Sequence, residues 1–207
     1  MSDPNGIPKL AIDHLSITGL SILIGLAIAF PVGLVAARFS RIYLPVVTVA
    51  GVMYTIPSLA FMALLIPFTG LTRATVVIPL VLYAQVVLIR NIVAAIRSVD
   101  PLLLEVGRAM GMNAIQLQLK VILPLALPVI VAGLRVASVT TIGIATIAPL
   151  FGVKDLGYLI FQGFNTSYKD QVLAGVILVS VLAVVADMIL LGLQKLLSRG
   201  RRIEAVA

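Results

Sequence analysis

Between Leu15 and Ala37 the chain carries no charged residue, and the run closes on Arg38 and Arg41. At 1.5 Å per residue, a helix of that length crosses a hydrocarbon core of ~30 Å. The pattern recurs. Ile42 to Thr72 is again uncharged, longer than one straight span needs, and punctuated by Pro45, Pro57 and Pro67, with Phe68 to Thr72 reading as a turn. A third run starts after Arg73 and reaches about Ile96, with Arg90 near enough to its end to snorkel. A fourth, about Ile122 to Leu150, is interrupted by Arg135, and a fifth, Gln171 to Leu193, contains Asp187. A mixed polar stretch, Phe151 to Asp170, lies between these last two. The expectation is an all-α polytopic membrane protein of one domain, 1–207. Its five transmembrane helices are expected at about 15–37, 43–67, 74–96, 122–150 and 171–193, with a loop at 98–121.

Composition agrees. The 207 residues are 61% hydrophobic and only 11% charged, where a soluble domain carries roughly 25% charged residues. The net charge of +7 suggests nucleic acid only until the cations are located. They sit at the ends of apolar runs, where headgroups and topology account for them, so the expected partner is the lipid bilayer and not nucleic acid. Cysteine is absent, which excludes disulfides and thiolate chemistry. The opening residues lack the cationic start of a cleavable signal peptide.

Five spans place the termini on opposite sides. If loop 98–121 is cytoplasmic, Arg38, Arg41, Arg90, Arg97, Arg108, Lys120, Lys195, Arg199, Arg201 and Arg202 face inward. Only Lys9, Arg73, Lys154 and Lys169 face outward, with Arg135 inside the membrane. That bias puts the N-terminus outside and the basic tail in the cytoplasm.

Loop 98–121 has strong local punctuation. Asp100 is a good N-cap and Pro101 fits the first helical position. Gly111 suits the residue that ends a short helix at positive φ, and Asn113 with Gln116 is a second capping signal. The expectation is a helix–glycine–helix elbow. Glu105, Gly111 and Leu123-Pro124, at their spacing, resemble the EAA loop of ABC-importer permeases, with Val106-Gly107 in place of the usual alanines and Val121 in place of isoleucine. The resemblance implies that Asp100, Pro101, Glu105, Gly107, Arg108, Ala109, Gly111 and Pro124 belong to a coupling helix that docks into a groove of a cytoplasmic ATPase subunit.

No G-x-x-x-x-G-K-[ST] occurs, so the chain has no phosphate cradle of its own. His14 is the single histidine and reads as a plain interfacial residue with no metal site around it. No Ser/His/Asp arrangement is available, so the chain is expected not to be an enzyme and to bind no metal or cofactor. Arg135 and Asp187 fall at similar depths and could pair between the fourth and fifth helices, either to fix register or to meet cargo. In the second span, Pro57 can break the helix and free carbonyls such as that of Met53, with the hydroxyls of Tyr54, Thr55 and Ser58 nearby. This stretch reads either as pathway or gate lining, or as a proline kink satisfied by its neighbours.

Further strings narrow the resemblance. Thr55-Ile56-Pro57-Ser58-Leu59-Ala60, Arg90-Asn91, Ile96-Arg97-Ser98-Val99-Asp100-Pro101 and Gly133-Leu134-Arg135 are similar to the osmoprotectant subfamily of these permeases. The resemblance covers residues from about 14 to 196, and Phe151 to Gly157 departs from it. It implies import of glycine betaine, carnitine, choline or proline betaine across a bacterial or archaeal cell (inner) membrane. It also implies two ATPase subunits that use ATP and Mg, a second permease copy or paralogue, and an extracellular or periplasmic binding protein. A methionine- or phosphonate-type ABC permease would share the elbow but not the Thr-Ile-Pro-Ser and Val-Asp-Pro strings. An ion-coupled secondary carrier would need no elbow and would show inverted repeats and several intramembrane carboxylates.

Overall fold

A computed structural model of the protein describes residues 6–198. Asn5, and the basic tail from Arg199 that was expected to be cytoplasmic, lie outside the described residues. Every regular element among the described residues is helical: α1 (Gly6–Arg38), α2 (Ser40–Thr55), α3 (Ser58–Thr69), α4 (Arg73–Arg97), α5 (Pro101–Ala109), α6 (Ala114–Leu117), α7 (Leu123–Ala145), α8 (Gly157–Asn165) and α9 (Lys169–Ser198). A π-helical turn, Gln118–Ile122, joins α6 to α7, and a 3₁₀ turn, Ala148–Phe151, follows α7.

The bundle is built around α4, of whose apolar stretch 72% is buried, against 6% for α9 at the periphery. The most extensive packing is between α4 and α1. Ser21, Gly25, Ala29 and Gly33 recur every fourth residue on α1 and are all buried, which brings the two backbones together as small residues do between membrane helices. A methyl group on Gly33 would stand 2.6 Å from Ile92 of α4. Gln85 of α4 donates to the carbonyls of Gly25 (3.2 Å) and Val81 (2.9 Å), fixing the register of the seam. At one end Arg97 donates to the Ala36 carbonyl (3.1 Å) and stacks over Tyr43 (4.9 Å), tying together α1, α2 and α4. At the other end Arg73 meets Asp13 at 2.9 Å.

Among the described residues four helical paths are each long and apolar enough to cross a membrane, and the α2–α3 pair, bent by 91°, forms a broken span or a re-entrant loop. The second expected span, 43–67, is therefore not a single helix. Of its three prolines only Pro57 breaks it, while α2 runs through Pro45 and α3 through Pro67. Likewise α1 is one helix through Pro31. Ile56 is driven to an extended conformation (φ −67°, ψ 125°) by the proline that follows it. The Tyr83 hydroxyl of α4 then donates to the Ile56 carbonyl at 2.7 Å. The Met53 carbonyl, expected to be freed by the break, instead accepts from the Ile56 N–H at 3.3 Å.

The fourth expected span, 122–150, is also displaced. Its helical path starts at Ala114, inside the expected loop 98–121, and stops at Ala145. The stretch from 151 to 170 is not merely polar loop. Phe151, Val153 and Leu156 are buried, and α8 folds back on α9.

His14 is the clearest correction. It is not interfacial but completely buried, as is Asp155. Its Nδ1 lies 2.9 Å from the Asp155 carboxylate, out of line for a directed hydrogen bond, and its Nε2 is 3.1 Å from the Ile142 carbonyl. The other Asp155 oxygen accepts from the Gly157 N–H at 2.8 Å. One histidine thus holds α1, α7 and the segment before α8 together. His14→Leu strands the carboxylate and should lower stability by about 1–3 kcal/mol. In detergent melting curves, His14→Leu combined with Asp155→Asn should cost less than the sum of the single changes, because the amide oxygen still accepts from the Gly157 N–H when the histidine is gone.

Candidate functional site: a doubly capped elbow and a broken span

Local chemistry builds the elbow from both sides of Gly111. The Asp100 carboxylate accepts from the Leu102 N–H at 2.8 Å, and Pro101 occupies the first turn of α5, where an N–H has no partner anyway. The helix ends in a Schellman motif. Met112 N–H reaches the Gly107 carbonyl (3.1 Å) and Gly111 N–H the Arg108 carbonyl (2.9 Å), with Gly111 at φ +80°. Asn113 and Gln116 then form a reciprocal capping box, at 2.9 and 3.0 Å, that starts α6. All four turn-forming signals legible in the sequence fall within this one unit.

Tight packing in the elbow occurs at Gly107 rather than Gly111. A methyl group on Gly107 would stand 2.6 Å from Leu117, whereas one on Gly111 would meet nothing within 4 Å. Gly111 is required for its backbone and Gly107 for its lack of volume. With Gly107 turned inward, Leu102, Glu105, Val106 and Ala109 form an exposed stripe at helical spacing on α5. Met110, Ile115 and Leu119 extend it, with exposures of 72%, 70% and 58%. The surface around the Glu105 carboxylate is thus mostly apolar. Behind the elbow, a cleft of about 630 Å³ separates it from the ends of α1 and α2, with Arg38, Phe39, Leu104 and Arg108 among its walls.

The π turn explains how the elbow joins the membrane span. Pro124 has no N–H, and its ring crowds the carbonyl four residues back, so the chain widens by one residue and Leu123 N–H bonds to Gln118. The elbow therefore runs through a single widened turn into α7, with no loop between.

Tyr54, Thr55, Pro57 and Ser58 are brought together at the α2–α3 break, around a pocket of about 220 Å³. Two further walls, Tyr83 and Ile144, come from α4 and α7; no local signal in the sequence singles them out. Arg135 and Asp187 form a bidentate pair, Nε and Nη2 each 2.8 Å from a carboxylate oxygen. Gln194, one heptad beyond Asp187 on α9, accepts from Arg135 Nη1 at 3.0 Å. The pair is half-exposed on the α7–α9 face, with side-chain exposures of 24% and 33%. This polar clamp holds the peripheral helix to the bundle.

An apolar helical bundle with a doubly capped elbow between two membrane-length helices defines a multi-pass membrane protein. Over residues 29–203 the chain matches the family described as binding-protein-dependent transport system inner membrane component, and it belongs to that family. It is 38% identical over 174 residues to the carnitine transport permease protein OpuCB of Listeria monocytogenes, covering 84% of this chain and 80% of that one. It is 40% identical over 186 residues to the choline transport system permease protein OpuBD of Bacillus subtilis (89% and 82%). The osmoprotectant import permease protein OsmW of Salmonella typhimurium is 34% identical over 197 residues (93% and 92%). Among solved structures, a chain of the MetNI methionine ABC transporter in inward-facing conformations superposes with a TM-score of 0.84 over 96% of this chain and all of that one, at 23% identity. That likeness shows a shared fold. The protein is thus a multi-pass permease component of an ABC importer, a class that works with ATPase and substrate-binding partners.

Gly107→Ala should be destabilising by about 1–3 kcal/mol through overpacking against Leu117. The same substitution made in a Leu117→Ala background should cost markedly less, and thermal unfolding of the four proteins in detergent measures the difference.

Proposed function

We propose that this protein is the membrane subunit of an ATP-driven importer for quaternary ammonium compatible solutes such as glycine betaine, carnitine and choline. The observation that carries the cargo class is similarity over more than four-fifths of the chain to permeases named for carnitine, choline and osmoprotectants in three organisms. The methionine transporter shares the fold at much lower identity, which favours this reading over a methionine-type permease.

Energy enters through α5. The Leu102–Glu105–Val106–Ala109 stripe is the contact surface for the ATPase, and the caps at Asp100 and Asn113 let the elbow move as one body. Two permease chains, identical or paralogous, pair with two ATPase subunits. Closure of the ATPase dimer on ATP and Mg shifts the elbows, and the π turn passes the shift to α7. The permease halves rock outward to receive cargo from an extracellular or periplasmic binding protein, and hydrolysis resets them. The elbow faces the cytoplasm, which places the start of α1 outside and the end of α9 inside.

Reconstitution with the ATPase and binding protein, followed by uptake of labelled choline, carnitine and glycine betaine, tests the cargo. The coupling role is tested by Gly111→Val, which imposes about 1–2 kcal/mol of left-handed strain on the cap, and by Glu105→Lys. Both should insert normally, lose ATPase association on co-purification and abolish uptake. A Gly111→Val protein that binds its ATPase and transports at the normal rate would overturn the assignment. Because the chain has no cysteine, single cysteines report topology cleanly. A cysteine replacing Ile115 should be labelled only from the cytoplasmic side, and one replacing Tyr168 only from outside.

A further inference from the structure

The pocket at the α2–α3 break has no charged side chain on its walls. Two of those walls are tyrosine rings, Tyr54 at the end of α2 and Tyr83 on α4, with centroids 5.6 Å apart and planes at 76°. Tyr83 is almost fully buried and held on two sides. Phe61 packs edge-to-face against it at 5.9 Å, and its hydroxyl is committed to the Ile56 carbonyl. Tyr54 stands at the mouth and is 44% exposed. The pocket thus combines one fixed ring and one accessible ring nearly perpendicular to it; the C-terminal end of α2 and the N-terminal end of α3 meet there with opposed dipoles, so the rings are what attract a cation.

That combination selects among cations. A metal ion or a primary ammonium needs several oxygen donors or a carboxylate to replace its water; the walls supply no carboxylate, and the Thr55 and Tyr83 hydroxyls are already committed to the Val52 and Ile56 carbonyls. A quaternary ammonium has no N–H to satisfy and sheds its water easily, so π faces attract it where they would not hold a smaller ion. The absence of a counter-charge suits passage, since a site on a transport path must bind weakly enough to release.

We propose that the Tyr54–Tyr83 pocket is a transit site in the permease itself, where the trimethylammonium head of the cargo rests against the two rings after leaving the binding protein. The proposal rests on the quaternary ammonium reading above and adds a second point of selection to it. The Tyr83 hydroxyl holds the ring in place, and Tyr54 is the ring that meets cargo first.

The test uses the assembled transporter with its ATPase and binding protein in vesicles, with uptake of labelled choline and glycine betaine scaled to the amount of assembled complex. Tyr54→Phe should transport like the unaltered protein and Tyr54→Leu about tenfold more slowly, the range expected for one partly desolvated cation–π contact. Since Tyr54→Leu could perturb the bend, phenylalanines of increasing fluorination at position 54 provide a second measure. They keep the shape of the ring and drain its π face, so uptake should fall stepwise with fluorine content. A flat response across that series, or a Tyr54→Phe protein as slow as Tyr54→Leu, would overturn the site while leaving the importer reading intact. An unaltered complex that moves no quaternary ammonium would overturn both.

Discussion

The seam between α1 and α4 is the contact on which the rest of the structure depends. Lipid supplies no hydrophobic drive between helices, so close approach has to come from small side chains and a few well-placed polar bonds. Ser21, Gly25, Ala29 and Gly33 provide the first, and Gln85 the second. With α4 fixed in this way, both candidate sites are fixed as well, because α4 reaches each of them. Tyr83 on its length closes the break in the second span, and Arg97 at its end anchors α1 and α2 beside the elbow. From Tyr83 to Arg97 is roughly 21 Å along one unbroken helix at 1.5 Å per residue. One continuous helix thus passes both the pocket and the elbow.

Two interruptions of helical hydrogen bonding give the bundle its shape, and each is accommodated differently. At Pro57 the chain turns through 91°, and a side chain from another helix bonds to the Ile56 carbonyl. At Pro124 the helix widens into a π turn and continues. The contrast follows from what surrounds each proline. Ile56 is extended and flanked by Tyr83, whereas Pro124 follows a capped helix already running in the right direction, so a single extra residue relieves the clash.

Much of this was legible in the sequence. Uncharged runs gave the number of spans, and cap residues located both limbs of the elbow, because those signals act over four or five neighbouring residues. Signals that depend on distant partners were not legible. His14 reads as interfacial because its partner Asp155 lies in a segment whose polarity suggests an open loop; the fold buries both. Tyr83 looks like one aromatic among the aliphatics of α4 until the break at Ile56 is placed beside it. The expected start of the fourth span at about Ile122 coincides with α7, but the helical path reaches back through the π turn to Ala114, because the Asn113 cap begins a helix that the polar residues up to Lys120 do not end. The every-fourth-residue small stripe on α1 was a local pattern and could have been read; it was hidden within a run taken only as apolar.

Two polar clamps fasten α7 to its neighbours. His14 and Asp155 bind α7 to α1 and to the segment before α8 at the end away from the elbow. Arg135, with Asp187 and Gln194, binds α7 to α9 nearer the elbow. Between the second clamp and the elbow lie the first three turns of α7, packed on α4 through Ala126, Ile130 and Gly133, and then the π turn Gln118–Ile122. Since α7 also contributes Ile144 to the pocket at the second-span break, the helix that continues from the elbow reaches that pocket, and α4, which contributes Tyr83, passes beside both. The two connections differ in kind, since α4 sits in the core while α7 continues from the elbow through a widened π turn.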